Sequence, residues 1–152
     1  MSIIVYTDGG CAGNPGPGGW AYILEAAGRR LTGSGGEPGT TNNRMELTAV
    51  TRALELVAST PAFRGERIEV HTDSQYVQRG MTEWLKRWSA KGWKTSGKDP
   101  VKNQDLWKGL QALTAGIEVS WHWVRGHDGN ELNEECDAMV QRAISEIKAT
   151  SA

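Results

Sequence analysis

Ile3-Ile4-Val5-Tyr6-Thr7-Asp8 is a run of β-branched and aromatic residues that stops at an acid, and Ile68-Glu69-Val70-His71-Thr72-Asp73 repeats the pattern further along the chain. Both segments read as strands, and both end on Asp in the same frame, Val5-Tyr6-Thr7-Asp8 against Val70-His71-Thr72-Asp73. After the first strand, Gly9 to Gly19 is so rich in Gly and Pro that it predicts a tight loop. Trp20 to Leu24 and Arg29 to Gly33 then predict two more strands of an antiparallel meander. From Asn43 to Ala58 the apolar residues Met45, Ala49, Val50, Ala53, Leu54 and Val57 recur at helical spacing, with Thr41 or Asn42 available as N-cap and Pro61 and Gly65 closing the segment. Beyond the Ile68–Asp73 strand, Val77 to Trp88 predicts a helical stretch interrupted near Gly80, and Val101 to Thr114 a helix. Ile117 to Val124 predicts the fifth strand, and Leu132 to Ile147 a last helix with Leu132, Cys136, Met139, Val140, Ala143, Ile144 and Ile147 inward. The order βββαβααβα implies an α/β fold, a mixed five-stranded sheet with helices packed on its faces.

The 152 residues suit one domain spanning 1–152, with residues 148–152 expected as a disordered tail. No run reaches the length of a membrane span, and Met1-Ser2-Ile3-Ile4-Val5 enters a strand without a basic region or cleavage site, so the expectation is a cytoplasmic monomer. Cys11 and Cys136 lie far apart and outside any zinc-type spacing, which predicts free thiols. The net charge of −1 conceals an uneven distribution. Between Arg79 and Lys108 stand eight basic residues against three acidic ones, a local +5 that leaves −6 on the remainder. A basic lobe on an acidic body keeps a polyanionic partner open.

Four acids stand where acids are costly. Asp8 and Asp73 end strands; Glu46 heads the apolar stripe of its helix, and Asp137 lies three and seven residues before Val140 and Ile144. Singly, a strand-end Asp serves a turn and a Glu near a helix start serves the dipole. Four gathered at one sheet edge would repel one another unless cations neutralised them. Oxygen-only ligation suits hard ions such as magnesium or manganese, and paired hard ions on carboxylates are a device for phosphoryl transfer.

Thr7-Asp8-Gly9, Asn14-Pro15-Gly16-Pro17-Gly18-Gly19, Thr41-Asn42-Asn43-Arg44-Met45-Glu46-Leu47, Thr72-Asp73-Ser74-Gln75-Tyr76-Val77, Gly92-Trp93-Lys94 and Trp123-Val124 with Gly126-His127, followed by Asn133 and Cys136-Asp137, resemble the bacterial ribonuclease H type 1 family, in the family's own order. The resemblance implies a ribonuclease H-like fold and an endonuclease that hydrolyses the RNA strand of RNA:DNA hybrids with two magnesium ions, manganese substituting, to leave 5′-phosphate and 3′-hydroxyl ends. It implies that Asp8, Glu46, Asp73 and Asp137 hold the metals and that His127 assists proton transfer or product release. Cys11, Gly13, Asn14, Asn43 and Gln75 would address the 2′-hydroxyl and base edges, and Thr41 and Asn42 a DNA-strand phosphate. The family's basic handle falls at about residues 79–102, where Lys86, Arg87, Lys91 and Lys94 would meet phosphates beside Trp93, while Trp84 and Trp88 pack the lobe. Two positions depart from the family: Gly10, commonly Ser, and Gly39, where some members carry an Arg by the phosphate pocket. The rivals are a DNA-directed nuclease on the same fold and an idle hybrid-binding module. The amide set and the basic lobe disfavour the first, and the complete carboxylate set disfavours the second.

Overall fold

The computed structural model describes residues 2–124 and 131–151. Its five strands are β1 (Ser2–Cys11), β2 (Gly16–Ala26), β3 (Arg29–Thr40), β4 (Arg67–Thr72) and β5 (Val119–Trp123), arranged β3-β2-β1-β4-β5. β1 pairs antiparallel with β2 and parallel with β4; β2–β3 is antiparallel and β4–β5 parallel, so the sheet is mixed as expected.

The first hairpin corrects one expectation. The glycine-rich run is not all loop, because β1 continues to Cys11 and β2 starts at Gly16, with Gly9 opposite Trp20, Gly10 opposite Gly19 and Cys11 opposite Gly18. Only residues 12–15 turn the chain. A ladder of backbone hydrogen bonds requires no side chains, so pairing between neighbours overrides glycine's weak strand preference. β3 likewise runs past Gly33 to Thr40, and it accommodates Pro38 because it is an edge strand.

The parallel β1–β4 pair needs a crossover, which α1 (Asn42–Ser59) provides. Thr41 is its N-cap: the backbone there is extended and the Thr41 hydroxyl accepts from the Arg44 N–H at 3.2 Å. The helix buries Met45, Leu47, Val50, Ala53, Leu54 and Val57, and several of these join Ile3, Val5, Leu24, Ile68 and Val70 in the larger core. The segment after β4 forms α2 (Gln75–Arg79), one widened turn over Gly80–Trp84, and α3 (Leu85–Ala90). The interruption expected at Gly80 is therefore a widened π-type turn rather than a break. Gly80 is required by packing, since a Cβ there would lie 1.9 Å from the ring of the fully buried Trp107.

Trp107 belongs to α4 (Gln104–Thr114), which starts later than the expected Val101 because Asn103 adopts a left-handed φ of 57°. α5 (Glu131–Ser151) covers the opposite face, where Val140 and Ile144 pack on Ala21. It runs beyond Ile147, through residues expected as a tail, as far as Ser151. Among the described residues no helix is long and apolar enough to cross a membrane. Cys11 and Cys136 are free thiols, as expected.

Candidate active site

Thr7 and Thr72 are partners across the parallel β1–β4 ladder, so Asp8 and Asp73 follow side by side towards the carboxyl ends of the two strands. Glu46, in the second turn of α1, reaches them because α1 rests directly on β1 at Gly9. A Cβ at Gly9 would sit 2.4 Å from the Met45 carbonyl carbon and 2.5 Å from the Glu46 nitrogen. One carboxylate oxygen from each of Asp8, Glu46 and Asp73 lies within 4.8 Å of the other two. Asp137, in the second turn of α5, is near enough for its charge to act on the Asp8 carboxyl. The structure thus gathers the four acids that the sequence singled out.

Electrostatically the group is strained. Burial, then the charges of Asp73 and Asp137, push Asp8 up to about 8 despite a 2.9 Å hydrogen bond accepted from the Gly9 N–H. Glu46 is pushed well above the usual carboxylate range, first by burial and then by Asp73 and Asp8. Asp8 and Glu46 are only 6% and 8% exposed, so water does little to screen them. Glu46 Oε2 is buried with no hydrogen-bond partner. Clustered, desolvated oxygens with one atom orphaned fit a hard divalent cation, which would neutralise the repulsion and occupy the orphan. One step below the acids, Tyr6, His71 and His122 stack across β1, β4 and β5, with ring centroids 4.8 and 4.7 Å apart. Burial first and His122 second lower the His71 pKa, so the His71 ring adds no cation under the acids at neutral pH.

The expected substrate residues fall into groups. Cys11, Gly13, Asn14 and Asn42 form one hydrogen-bonded patch where the hairpin turn meets the start of α1, while Thr41 bonds within that helix start, as its N-cap. The Cys11 N–H donates to Asn42 Oδ1 at 2.7 Å, the Asn42 N–H donates to Asn14 Oδ1 at 3.2 Å, and the Cys11 thiol donates to the Gly13 carbonyl. Asn43 and Gln75 are exposed in the first turns of α1 and α2. In the handle, Trp84, Arg87, Trp88, Lys91 and Lys94 line a groove of about 430 Å³, and Lys86 is exposed outside that lining. Trp84 and Trp88 pack together at 5.7 Å, and Trp88 meets Trp107 at 5.3 Å, as expected for a structural pair. Trp93 is packed more than its place among the lysines predicts: it is half-buried, partly against the core, with Lys108 Nζ over its ring at 5.4 Å. His127 lies outside the described residues.

Sequence reading missed two further groups. Trp123 Nε1 donates to the Asp73 carbonyl at 3.1 Å, and Arg44, just ahead of Glu46, forks onto Asp105. Arg44 belongs to the run Thr41-Asn42-Asn43-Arg44-Met45-Glu46-Leu47, but nothing local in the sequence points to a partner in α4.

The family model described as RNase H matches residues 1–145. The chain belongs to the ribonuclease H family. As a ribonuclease H it is an endoribonuclease, a hydrolase. It is 53% identical over 142 residues to the ribonuclease HI of Caulobacter vibrioides, covering 93% of this chain and 92% of that one. The structure of LC9-RNase H1, a type 1 RNase H with the type 2 active-site motif, superposes with a TM-score of 0.84 at 35% identity, over 95% of this chain and 72% of the other. LC11-RNase H1, solved in complex with an RNA/DNA hybrid, gives 0.72 at 28% identity over 95% and 97% of the two chains.

Proposed function

We propose that this ribonuclease H hydrolyses the RNA strand of RNA:DNA hybrids at two divalent cations held by Asp8, Glu46, Asp73 and Asp137, leaving 5′-phosphate and 3′-hydroxyl ends. The observation that carries the reading is the convergence of Asp8, Glu46 and Asp73 within 4.8 Å around an unpartnered, buried Glu46 oxygen. Bound magnesium supplies a nucleophilic water at neutral pH and Lewis acidity at the phosphoryl oxygens, with manganese able to substitute.

The chain's own residues do the rest. Asp8, which interacts with both Asp73 and Asp137, would be the shared ligand, with Asp137 contributed by α5 and Glu46 and Asp73 completing the set. His127 carries protons or eases product release. The amides of Asn14, Asn43 and Gln75, with the Cys11–Gly13 backbone, address the 2′-hydroxyl and base edges that a wide minor groove presents. Thr41 and Asn42, at the start of α1, suit a DNA-strand phosphate. Lys86, Arg87, Lys91 and Lys94 supply affinity that ignores sequence, and Trp93 lends apolar surface at the edge of its packing. The hybrid held by LC11-RNase H1 supports this choice of substrate. The same reading makes the protein a cytoplasmic monomer.

Magnesium-dependent cleavage of matched RNA:DNA, RNA:RNA and DNA:DNA duplexes, each labelled on either strand, tests it. Cuts confined to the RNA of the hybrid are expected. Cleavage of DNA would move the chain to the DNA-directed reading, and tight hybrid binding without cleavage to the idle module.

A further inference from the structure

Five side chains outside the carboxylate cluster form one hydrogen-bonded chain across three helix starts. The Arg44 guanidinium in α1 donates to both carboxylate oxygens of Asp105 in α4, Nη1 to Oδ1 at 3.1 Å and Nη2 to Oδ2 at 2.7 Å. Nη1 also reaches Asn103 Oδ1 at 3.4 Å. Asn103 Nδ2 donates to Tyr76 Oη in α2 at 3.3 Å, and the same oxygen accepts from Trp107 Nε1 at 3.1 Å. Asn103 precedes α4 in a left-handed backbone conformation and makes no side-chain capping bond to that helix. The Arg44 fork holds the Asp105 carboxyl below the usual carboxylate range.

The placement of these residues gives the chain a role. Arg44 stands two residues before Glu46, and Tyr76 three residues after Asp73. The two acids that flank Asp8 thus sit on separate segments, the start of α1 and the β4–α2 junction, and this network links those segments through α4. A single ion pair with one partner 64% exposed adds little stability. A two-pronged guanidinium–carboxylate contact does fix an angle as well as a distance.

We propose that Asp105 is a positioning residue for cleavage: through its fork to Arg44, and through Asn103 to Tyr76, it sets the separation of Glu46 and Asp73 to the spacing a divalent cation needs. This rests on the metal-binding reading of the carboxylate cluster. Asp105 touches neither substrate nor reacting atoms; its effect is carried by the two helix starts.

The test is calorimetric titration of the full chain with Mn²⁺ in the absence of substrate, paired with steady-state cleavage, for Asp105→Asn, Arg44→Lys and Tyr76→Phe. Asp105→Asn is expected to weaken Mn²⁺ binding and lower kcat by about tenfold or more, the usual cost of losing a group that orients a ligand, with KM for the hybrid and melting temperature little changed. Arg44→Lys keeps the charge but cannot bridge two oxygens, so it is expected to behave like Asp105→Asn. Tyr76→Phe, which removes only Oη, should move Mn²⁺ affinity the same way, and Asp105→Glu should restore most of it. Wild-type Mn²⁺ affinity in Asp105→Asn would overturn the proposal. So would wild-type affinity in Arg44→Lys alone, because the effect of Asp105 would then be one of charge. Asp8→Asn serves as the control: if it too binds Mn²⁺ normally, the metal-binding reading has failed, whereas its loss of binding beside an unaffected Asp105→Asn sinks the positioning role only.

Discussion

Asp8→Asn keeps the shape of the side chain and removes its charge, so it isolates what the carboxylate cluster costs. Burial, then Asp73 and Asp137, raise the Asp8 carboxyl from 3.8 to about 8 in the folded protein. A carboxyl raised by folding binds its proton more tightly in the folded state than in the unfolded one. Stability is therefore fully present below 3.8, falls as pH rises, and levels off above about 8. At pH 7 about three units of that span have been traversed, and at ~1.4 kcal/mol per unit the ceiling is about 4 kcal/mol. Protonating one acid relaxes the repulsion on its neighbours, so about half of this, ~2 kcal/mol, is the expected gain for the variant. In a chain of this size that is roughly 4–8 °C in melting temperature. Thermal melts in EDTA at about pH 7 and about pH 4, repeated with excess magnesium at pH 7, measure it. The gain should be present at pH 7, nearly vanish at pH 4, and shrink with magnesium, because the cation relieves the wild-type repulsion and binds the folded state. Cleavage should be abolished under every condition. A variant that melts no higher than wild type at pH 7 in EDTA would refute the electrostatic account, and so would a gain independent of pH.

Replacing Lys86, Arg87, Lys91 and Lys94 together by Ala should weaken hybrid binding and flatten the slope of log affinity against log salt by roughly two to three and a half units, at up to ~0.9 for each phosphate no longer neutralised. An unchanged slope in a filter-binding series would remove the handle from the nucleic-acid surface. Gly80→Ala should cost about 1–3 kcal/mol in urea unfolding, because its Cβ would meet the Trp107 ring at 1.9 Å. A wild-type midpoint would mean that Trp107 does not pack against the widened turn.

Much of the fold was legible because it rests on periodicity. The apolar stripes of α1 and α5 and the alternating run in β1 survive into the structure with shifts of a few residues at their ends. The glycine-rich ends of β1, β2 and β3 were not legible, because what keeps them extended is pairing with neighbours, and residue preference is a weak guide against a ladder. The same division holds at the site. Each acid could be recognised as an anomaly on an apolar face, but the Arg44–Asp105 fork joins residues 61 positions apart, and no local pattern records such a pair. The packing of Trp93 was not legible for a related reason. Its place among lysines suggested a stacking surface, while its positive φ of 65° and the hydrogen bond from its N–H to the Trp88 carbonyl at 2.8 Å turn it back toward the core.

The convergence itself follows from strand direction. β1, β4 and β5 are parallel to one another, and β3, two antiparallel steps from β1 through β2, points the same way. Four of the five strands therefore end at one edge of the sheet. Two of them, β1 and β4, bring an acid to that edge directly, Asp8 within the last turn of pairing and Asp73 just after the strand. The other two, β3 and β5, are the strands that precede α1 and α5, and those helices carry Glu46 and Asp137 in their second turns. Every acid thus lies within two helical turns of the same edge, where ligands of α/β sheets are commonly bound. Topology brings the four into one neighbourhood, and close approach does the rest. With any side chain at position 9, α1 would have to rise off β1, and Glu46 would leave the cluster while the strands and helices stayed as they are. Direction of the chain and one missing Cβ together account for a charge concentration that the folded state would otherwise avoid.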